Sequence, residues 1–200
     1  WLWGFSYSNW FNNYGAVYKV NMHSGKLVHI ASFSGDKNGL HGRGPGKLAY
    51  DGHGFMWGVS LADFDRSKGC LFKIDVSTDQ LTVVKEFQHT TPESSFRPMG
   101  DIYADRKGSL WFAGVIDGDF SKGRSALIKL NSLTGMIEGR YQQPGYSEIA
   151  SPVGDADGLL WGTSNRGIPS RRGCIFTFNP ATEKFTTVMN FTGNGSQANS

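Results

Sequence analysis

DRKGSLW, residues 105–111, decides how this chain is read, because the same pattern recurs as DGHGFMW at 51–57 and as DADGLLW at 155–161. The opening residues Trp1, Leu2, Trp3 and Gly4 have the form of the end of another copy. An Asp, a Gly three residues on and a Trp three after that describe a tight turn entering a strand. Asp accepts bonds from the turn's own amides, and Gly adopts the backbone conformation that such turns need. The Trp anchors stand at 3, 57, 111 and 161, with spacings of 54, 54 and 50.

Two further anchors keep this period. Aromatics that close a strand fall at Phe33, Phe87, Tyr141 and Phe191, again 54, 54 and 50 apart. Apolar segments that follow a Gly or Ser echo it: GAVYKVN at 15–21, GCLFKID at 69–75, SALIKLN at 125–131 and GCIFTFN at 173–179. A polar turn comes next in every unit, NMHSGK at 21–26, DVSTDQ at 75–80, NSLTGM at 131–136 and NPATEK at 179–184. Its leading Asn or Asp is suited to capping the turn backbone. Each unit divides into four short strands, in the third unit 100–104, 110–115, 126–131 and 136–141.

Four strands repeated at this period predict an all-β chain, a β-propeller of four-stranded blades with four repeat units of about 54 residues. An all-β sandwich would explain the turns but not the common register of the anchors. The expected blades are 1–33, 46–87, 100–141 and 148–191, followed by a tail at 192–200. The first begins at its second strand and so lacks its inner strand. The 200 residues are therefore expected to form an open four-blade arc or a fragment of a larger propeller.

Composition narrows the function classes. With 38% hydrophobic residues the chain can bury a core, and its 27 glycines are spread over turn positions among strand formers. A net charge of +3 is too mild to point to nucleic acid. No apolar run approaches the roughly 20 residues of a membrane-spanning helix, so no membrane span is expected. Cys70 and Cys174 occupy matching positions two units apart, too distant for a disulfide in any stacked arrangement, and are expected to be buried free thiols. Neither has a His or Asp partner at motif spacing, so no metal site and no cofactor are expected.

The units have the form L-W/Y-G-T, then G-x-x-F-K/T-x-N/D, T-x-x-x-F/L-T-x-V and F-x-G, clearest in LLWGTSNRGIPSRRGCIFTFNPATEKFTTVMNFTGNG at 159–195. This resembles the GloVer (Gloeo_Verruco) tandem repeats of bacterial surface or secreted proteins, over nearly the whole chain. It departs from the pattern in the third unit, where Phe112 and Ala113 replace the Gly after Trp. The D-x-x-G-x-[LI]-W turn is also similar, more loosely, to propeller repeats of two-component sensors and streptogramin lyases. The resemblance implies a propeller outside the cytoplasm, extracellular or at the cell surface, and carries no agreed activity.

In such a blade the turns between first and second and between third and fourth strands share one face, and here they are short and alike. The remaining connections, on the opposite face, are long and differ from unit to unit, which is where binding is normally located. These loops gather Trp10, Phe11 and Tyr14 beside several Asn residues, a composition suited to stacking on sugar rings. The competing reading folds part of these aromatics back over blade edges. Asp63 with Asp65 and Asp117 with Asp119 lie at equivalent places 54 apart, suited to Ca²⁺, to acid–base work or simply to capping turns. His41, Arg43, His89, Arg97, Arg166 and Arg171 are candidates for an anionic ligand such as a uronate, against the alternative of solvated loops. The leading expectation is a non-enzymatic binding or scaffold module whose partner is a glycan or a protein. An alternative is a propeller-type polysaccharide lyase acting on an acidic polymer, with His41 or His89 as base and Arg43 or Arg97 holding the carboxylate.

Overall fold

A computed structural model of the chain describes residues 1–6, 14–33, 42–61, 69–87, 96–116, 125–143, 145, 147–150, 152–166 and 172–191. All of the regular elements within them are strands, gathered into four antiparallel sheets in chain order. Sheet I contains β1 (Leu2–Ser6), β2 (Ala16–Val20) and β3 (Leu27–Ser32). Sheet II begins with an inner strand in two pieces, β4 (Arg43–Pro45) and β5 (Ala49–Tyr50), and continues through β6 (Phe55–Leu61), β7 (Gly69–Asp75) and β8 (Leu81–Phe87). Sheet III is β9 (Phe96–Ala104), β10 (Ser109–Ile116), β11 (Ser125–Asn131) and β12 (Ile137–Gln142). Sheet IV again splits its inner strand, β13 (Ser147–Ile149) and β14 (Val153–Gly154), before β15 (Leu160–Arg166), β16 (Cys174–Asn179) and β17 (Lys184–Asn190). Four sequential sheets, each a meander running from the inside outward, make four blades, and the first has three described strands.

The inner strands begin earlier than the sequence suggested, at Arg43, Phe96 and Ser147, because pairing resumes beyond an irregularity in the ladder. The register shifts between Arg43 and Pro45 on β4 and between Phe112 and Gly114 on β10. A bulge of this kind lets a strand lose one bonding step and continue.

The Asp turns show why D-x-x-G-x-x-W recurs. Asp51 Oδ1 accepts the His53 and Phe55 amides at 2.7 and 3.1 Å, while Trp57 Nε1–H donates to Asp51 Oδ2 at 3.0 Å. Asp105 Oδ1 takes the Lys107 and Ser109 amides at 2.7 and 2.9 Å. Asp155 repeats the full bracket, accepting the Asp157 and Leu159 amides and, at 2.7 Å, the Trp161 indole. One carboxylate thus closes the turn and satisfies an indole N–H that would otherwise be stranded in the core. The second turn is equally regular: the Oδ1 atoms of Asn21, Asp75, Asn131 and Asn179 each accept the amides two and three residues ahead.

The core lies between blades, and Trp57 and Trp111 each face the following one. Trp57 packs with Ile102, Leu110 and Phe112 of blade III, and Trp111 packs with Ile149, Phe176 and Phe178 of blade IV. Trp3, Trp57 and Trp111 each stand opposite a Lys of the next strand, Lys19, Lys73 and Lys129. The ammonium of Lys19 sits 4.5 Å from the centre of a Trp1 ring and that of Lys73 sits 4.4 Å from the Phe55 ring. Such contacts contribute roughly 0.5–1 kcal/mol at exposed sites and more where water is excluded. Lys19 is buried and also pairs with Asp79 of blade II, so that seam is tied by charge as well as by apolar area.

The irregularity of the third unit has a steric explanation. The Gly after Trp lies opposite an aromatic across the strand pair, Gly4 facing Tyr18, Gly58 facing Phe72 and Gly162 facing Phe176. A Cβ at these glycines would come within 2.6, 2.2 and 2.6 Å of the opposing ring, so the ring lies directly on the backbone. In blade III the pair is Phe112 opposite Ile128. The aromatic has crossed to the other strand and the small side has been given up with it.

Both cysteines are buried and free, and Cys70 lies in blade II while Cys174 lies in blade IV. The Cys70 amide donates to Ser60 Oγ at 2.8 Å. Burial pushes the Cys70 thiol up to about 11; the Ser60 hydroxyl partly offsets this and nearby Glu86 adds to it. Native protein is therefore expected to leave a disulfide reagent such as DTNB unreacted for hours at pH 8, and two thiols should appear at once in denaturant. Fast labelling of the folded chain would show that these sites open.

Candidate functional site

The two ends of the blades differ in their connections and in the residues placed there. At the short-turn end the carboxylates of Asp51, Asp75, Asp105 and Asp155 are engaged by amides of their own turns, and those of Asp51 and Asp155 by Trp indoles as well. The indole donor, followed by amides of the turn, holds the Asp155 carboxyl below its usual range. Bonds from the Ser77 side chain and amide do the same for Asp75. Glu138 is lowered by Asn131 and then by Lys129, whose ammonium lies 3.1 Å away. These groups serve the scaffold.

The opposite end is formed where the inner strands begin and the second strands finish. There Arg43 pairs with Leu61, Arg97 with Val115 and Ser147 with Arg166. Arg43 and Arg97 therefore occupy corresponding places on neighbouring inner strands, and Arg166 lies on β15 of blade IV, not in a loop. In blade IV the residue beside this level is Glu148, which the sequence did not single out. Its backbone is in the left-handed region at φ 51°, its amide donates to Ser125 Oγ of blade III at 2.8 Å, and its Oε2 accepts from Asn165 Nδ2 at 2.8 Å. A non-Gly residue held in this region stores strain that the surrounding bonds must sustain. Only the positive φ distinguishes it, and no residue pattern announces that.

Along the inner strands of blades II, III and IV runs a cleft of about 520 Å³, lined by residues that include Lys47, Tyr50, Asp101, Tyr103, Arg106 and Pro152. The Lys47 amide donates to Asp101 Oδ1 at 2.8 Å, stitching two inner strands side by side. The cleft reaches toward the short-turn end at Asp105 and Arg106, so concave surface is not confined to the long-loop face. Its lining mixes apolar walls with both signs of charge, a surface suited to an extended polar ligand.

Of the other sequence candidates, Tyr14 is half-buried against the cluster of Val17, Phe33 and Phe72, and so covers a blade edge. Trp10, Phe11, His41, Asp63, Asp65, His89, Asp117, Asp119 and Arg171 lie outside the described residues. Among the described residues no three His, Cys, Asp or Glu side chains are grouped so as to hold a metal ion. No helix among them is long and apolar enough to cross a membrane.

No family model matches the sequence, and no curated protein matches it. Solved structures do match the fold. TolB from Acinetobacter baumannii superposes with a TM-score of 0.57 at 13% identity, over 88% of this chain and 38% of that one. An oligogalacturonate lyase in complex with manganese gives 0.57 at 13% identity, over 90% and 49%. The β-propeller domain of the Trilobed protease from Pyrococcus furiosus, which has an open velcro topology, gives 0.51 at 7% identity, over 88% and 48%. The fold is thus a β-propeller, and the chain spans less than half the length of each of these three.

Proposed function

We propose that this propeller arc is a binding or scaffold module, outside the cell or at its surface, that engages a glycan or protein through the end carrying the long loops. The asymmetry between the two ends carries this reading. At one end Asp51, Asp75, Asp105 and Asp155 hold their own turns, two of them bonding a Trp indole as well. At the other, Arg43, Arg97 and Glu148 stand at matching levels of adjacent inner strands, with loops of unlike sequence above them. The extracellular setting rests on the resemblance to GloVer repeats.

A panel of immobilised glycans and surface proteins tests it. A ligand should be retained, and Arg43→Ala or Arg97→Ala should weaken it at least tenfold without changing the unfolding midpoint. Retention that is indifferent to both variants, or silence across the panel, overturns the reading. The corresponding positions of Arg43 and Arg97 on neighbouring inner strands also support a second reading, a lyase acting on an acidic polysaccharide, in which these guanidiniums hold the uronate carboxylate and His41 or His89 takes the adjacent proton. Growth of unsaturated-product absorbance on uronate polymers, lost in Arg97→Ala, would select that reading over binding alone.

A further inference from the structure

The cleft along the inner strands reaches toward the short-turn end, and the repeat separates the residues there that build the scaffold from those that do not. Scaffold residues recur in the units, as Asp51, Asp105 and Asp155 do, and with them Trp57, Trp111 and Trp161. The cleft positions change from unit to unit. Lys47 is answered by Asp101 one unit on, Tyr50 by Ala104 and Gly154, and Arg106 by Gly52 and Ala156. Blades of one architecture carry all of these, so what differs is surface and not fold.

Arg106 has the least structural reason to be where it is. Its backbone is left-handed at φ 58°, in the place where Gly52 takes φ 85° without strain. Its Cβ and Cγ lie 3.8 Å from where a Cβ on Gly52 would project, so its stem reaches the turn of blade II. Neither the Arg106 guanidinium nor the Lys47 ammonium has a hydrogen-bond or ion-pair partner among the described residues. The carboxylates of the cleft are bonded by backbone: Asp101 Oδ1 takes the Lys47 amide, and Asp105 Oδ1 takes those of Lys107 and Ser109. Apolar surface stands on both sides, with Tyr50 of blade II 43% exposed and Val153 of blade IV 54% exposed. Between them the Tyr103 ring of blade III lies on the backbone of blade IV, where a Cβ on Gly154 would stand 2.1 Å from its hydroxyl oxygen.

We propose that this cleft is a second ligand site, separate from the long-loop end, and that it takes a short sugar chain carrying one carboxylate. Lys47 and Arg106 meet the carboxylate, and Tyr50 offers the sugar ring an apolar face beside a polar edge. The volume of about 520 Å³ lies within the roughly 300–1,000 Å³ of small-ligand sites. Two carboxylates in the same cleft oppose the dense charge of a phosphate, while a single carboxylate among neutral hydroxyls meets far less repulsion.

Isothermal titration with cellobiouronate, its neutral counterpart cellobiose and inorganic phosphate tests this. Cellobiouronate should bind at one site, about tenfold or more tighter than cellobiose, and phosphate should not displace it. Arg106→Gly and Tyr50→Ala each copy the residue of another unit, Gly52 and Ala104, so the fold is kept. Each should weaken cellobiouronate by about tenfold or more, and Arg106→Gly should leave the unfolding midpoint unchanged or raise it, because the strained backbone is relieved. A residue that served only the turn would show no effect on binding. The proposal is overturned if cellobiouronate does not bind, if cellobiose binds as tightly, or if phosphate displaces it. Binding that is indifferent to Arg106→Gly and Tyr50→Ala but lost in Arg43→Ala or Arg97→Ala places the sugar at the long-loop end. That result overturns the second site and leaves the reading of the other end standing.

Discussion

Gly58→Phe is expected to destabilise the chain by about 3 kcal/mol, and adding Phe72→Ile to restore at least half of that loss. The Phe72 ring lies on Gly58, where a Cβ would stand 2.2 Å from its Cζ, so a second ring cannot enter without displacing the first. Phe72 is itself fully buried and receives Phe33 from blade I, and Phe72→Ala alone should cost about 4 kcal/mol. The double variant copies what blade III already does, where Phe112 opposite Ile128 fills the same slot and receives Phe87. Urea unfolding followed by far-ultraviolet dichroism reads all three. Should the double variant be no more stable than Gly58→Phe, the slot is not shared between strands and this account of the third unit fails.

Asp51→Ala is expected to cost about 4 kcal/mol, because the buried carboxylate serves two backbone amides and the Trp57 indole at once. Removing it strands a buried N–H beside a ring that contacts blade III, so turn and seam are lost together. Asp51→Asn keeps an acceptor for the amides but turns an NH2 toward the indole, so it should recover the turn's share of the loss and not the indole's. Asp155→Ala removes the same bonds on the uncovered face of blade IV, where water replaces them, and should shift the unfolding midpoint far less. Equal losses for Asp51→Ala and Asp155→Ala would show that burial by the next blade adds nothing to the bracket.

Most of the scaffold can be read from local chemistry. The Asp of each D-x-x-G-x-x-W turn takes amides two and four residues ahead, Asp51 and Asp155 also take the indole six ahead, and the Asn or Asp turns close within four residues. Such short-range bonds impose residue types that survive in every unit, which is why the period, the strands and the blade count were legible. The departure at Phe112 was visible but not interpretable, since the partner that compensates it, Ile128, stands across the sheet. Glu148 left no trace at all. Its conformation is held by Ser125 of another blade and by Asn165 of another strand, contacts with no fixed sequence spacing.

The sequence by itself determined an all-β repeat of four units, the turns that punctuate it and the aromatics that hold its register, because periodic local constraints write themselves into periodic residues. Only the tertiary structure decided which way Trp57 and Trp111 face, that Arg43 and Arg97 lie on inner strands at matching levels, and that Trp161 stands exposed where Trp57 and Trp111 are buried. Those are facts about neighbours. A side chain's burial depends on the blade packed against it, and that blade's surface is assembled from residues some fifty positions away.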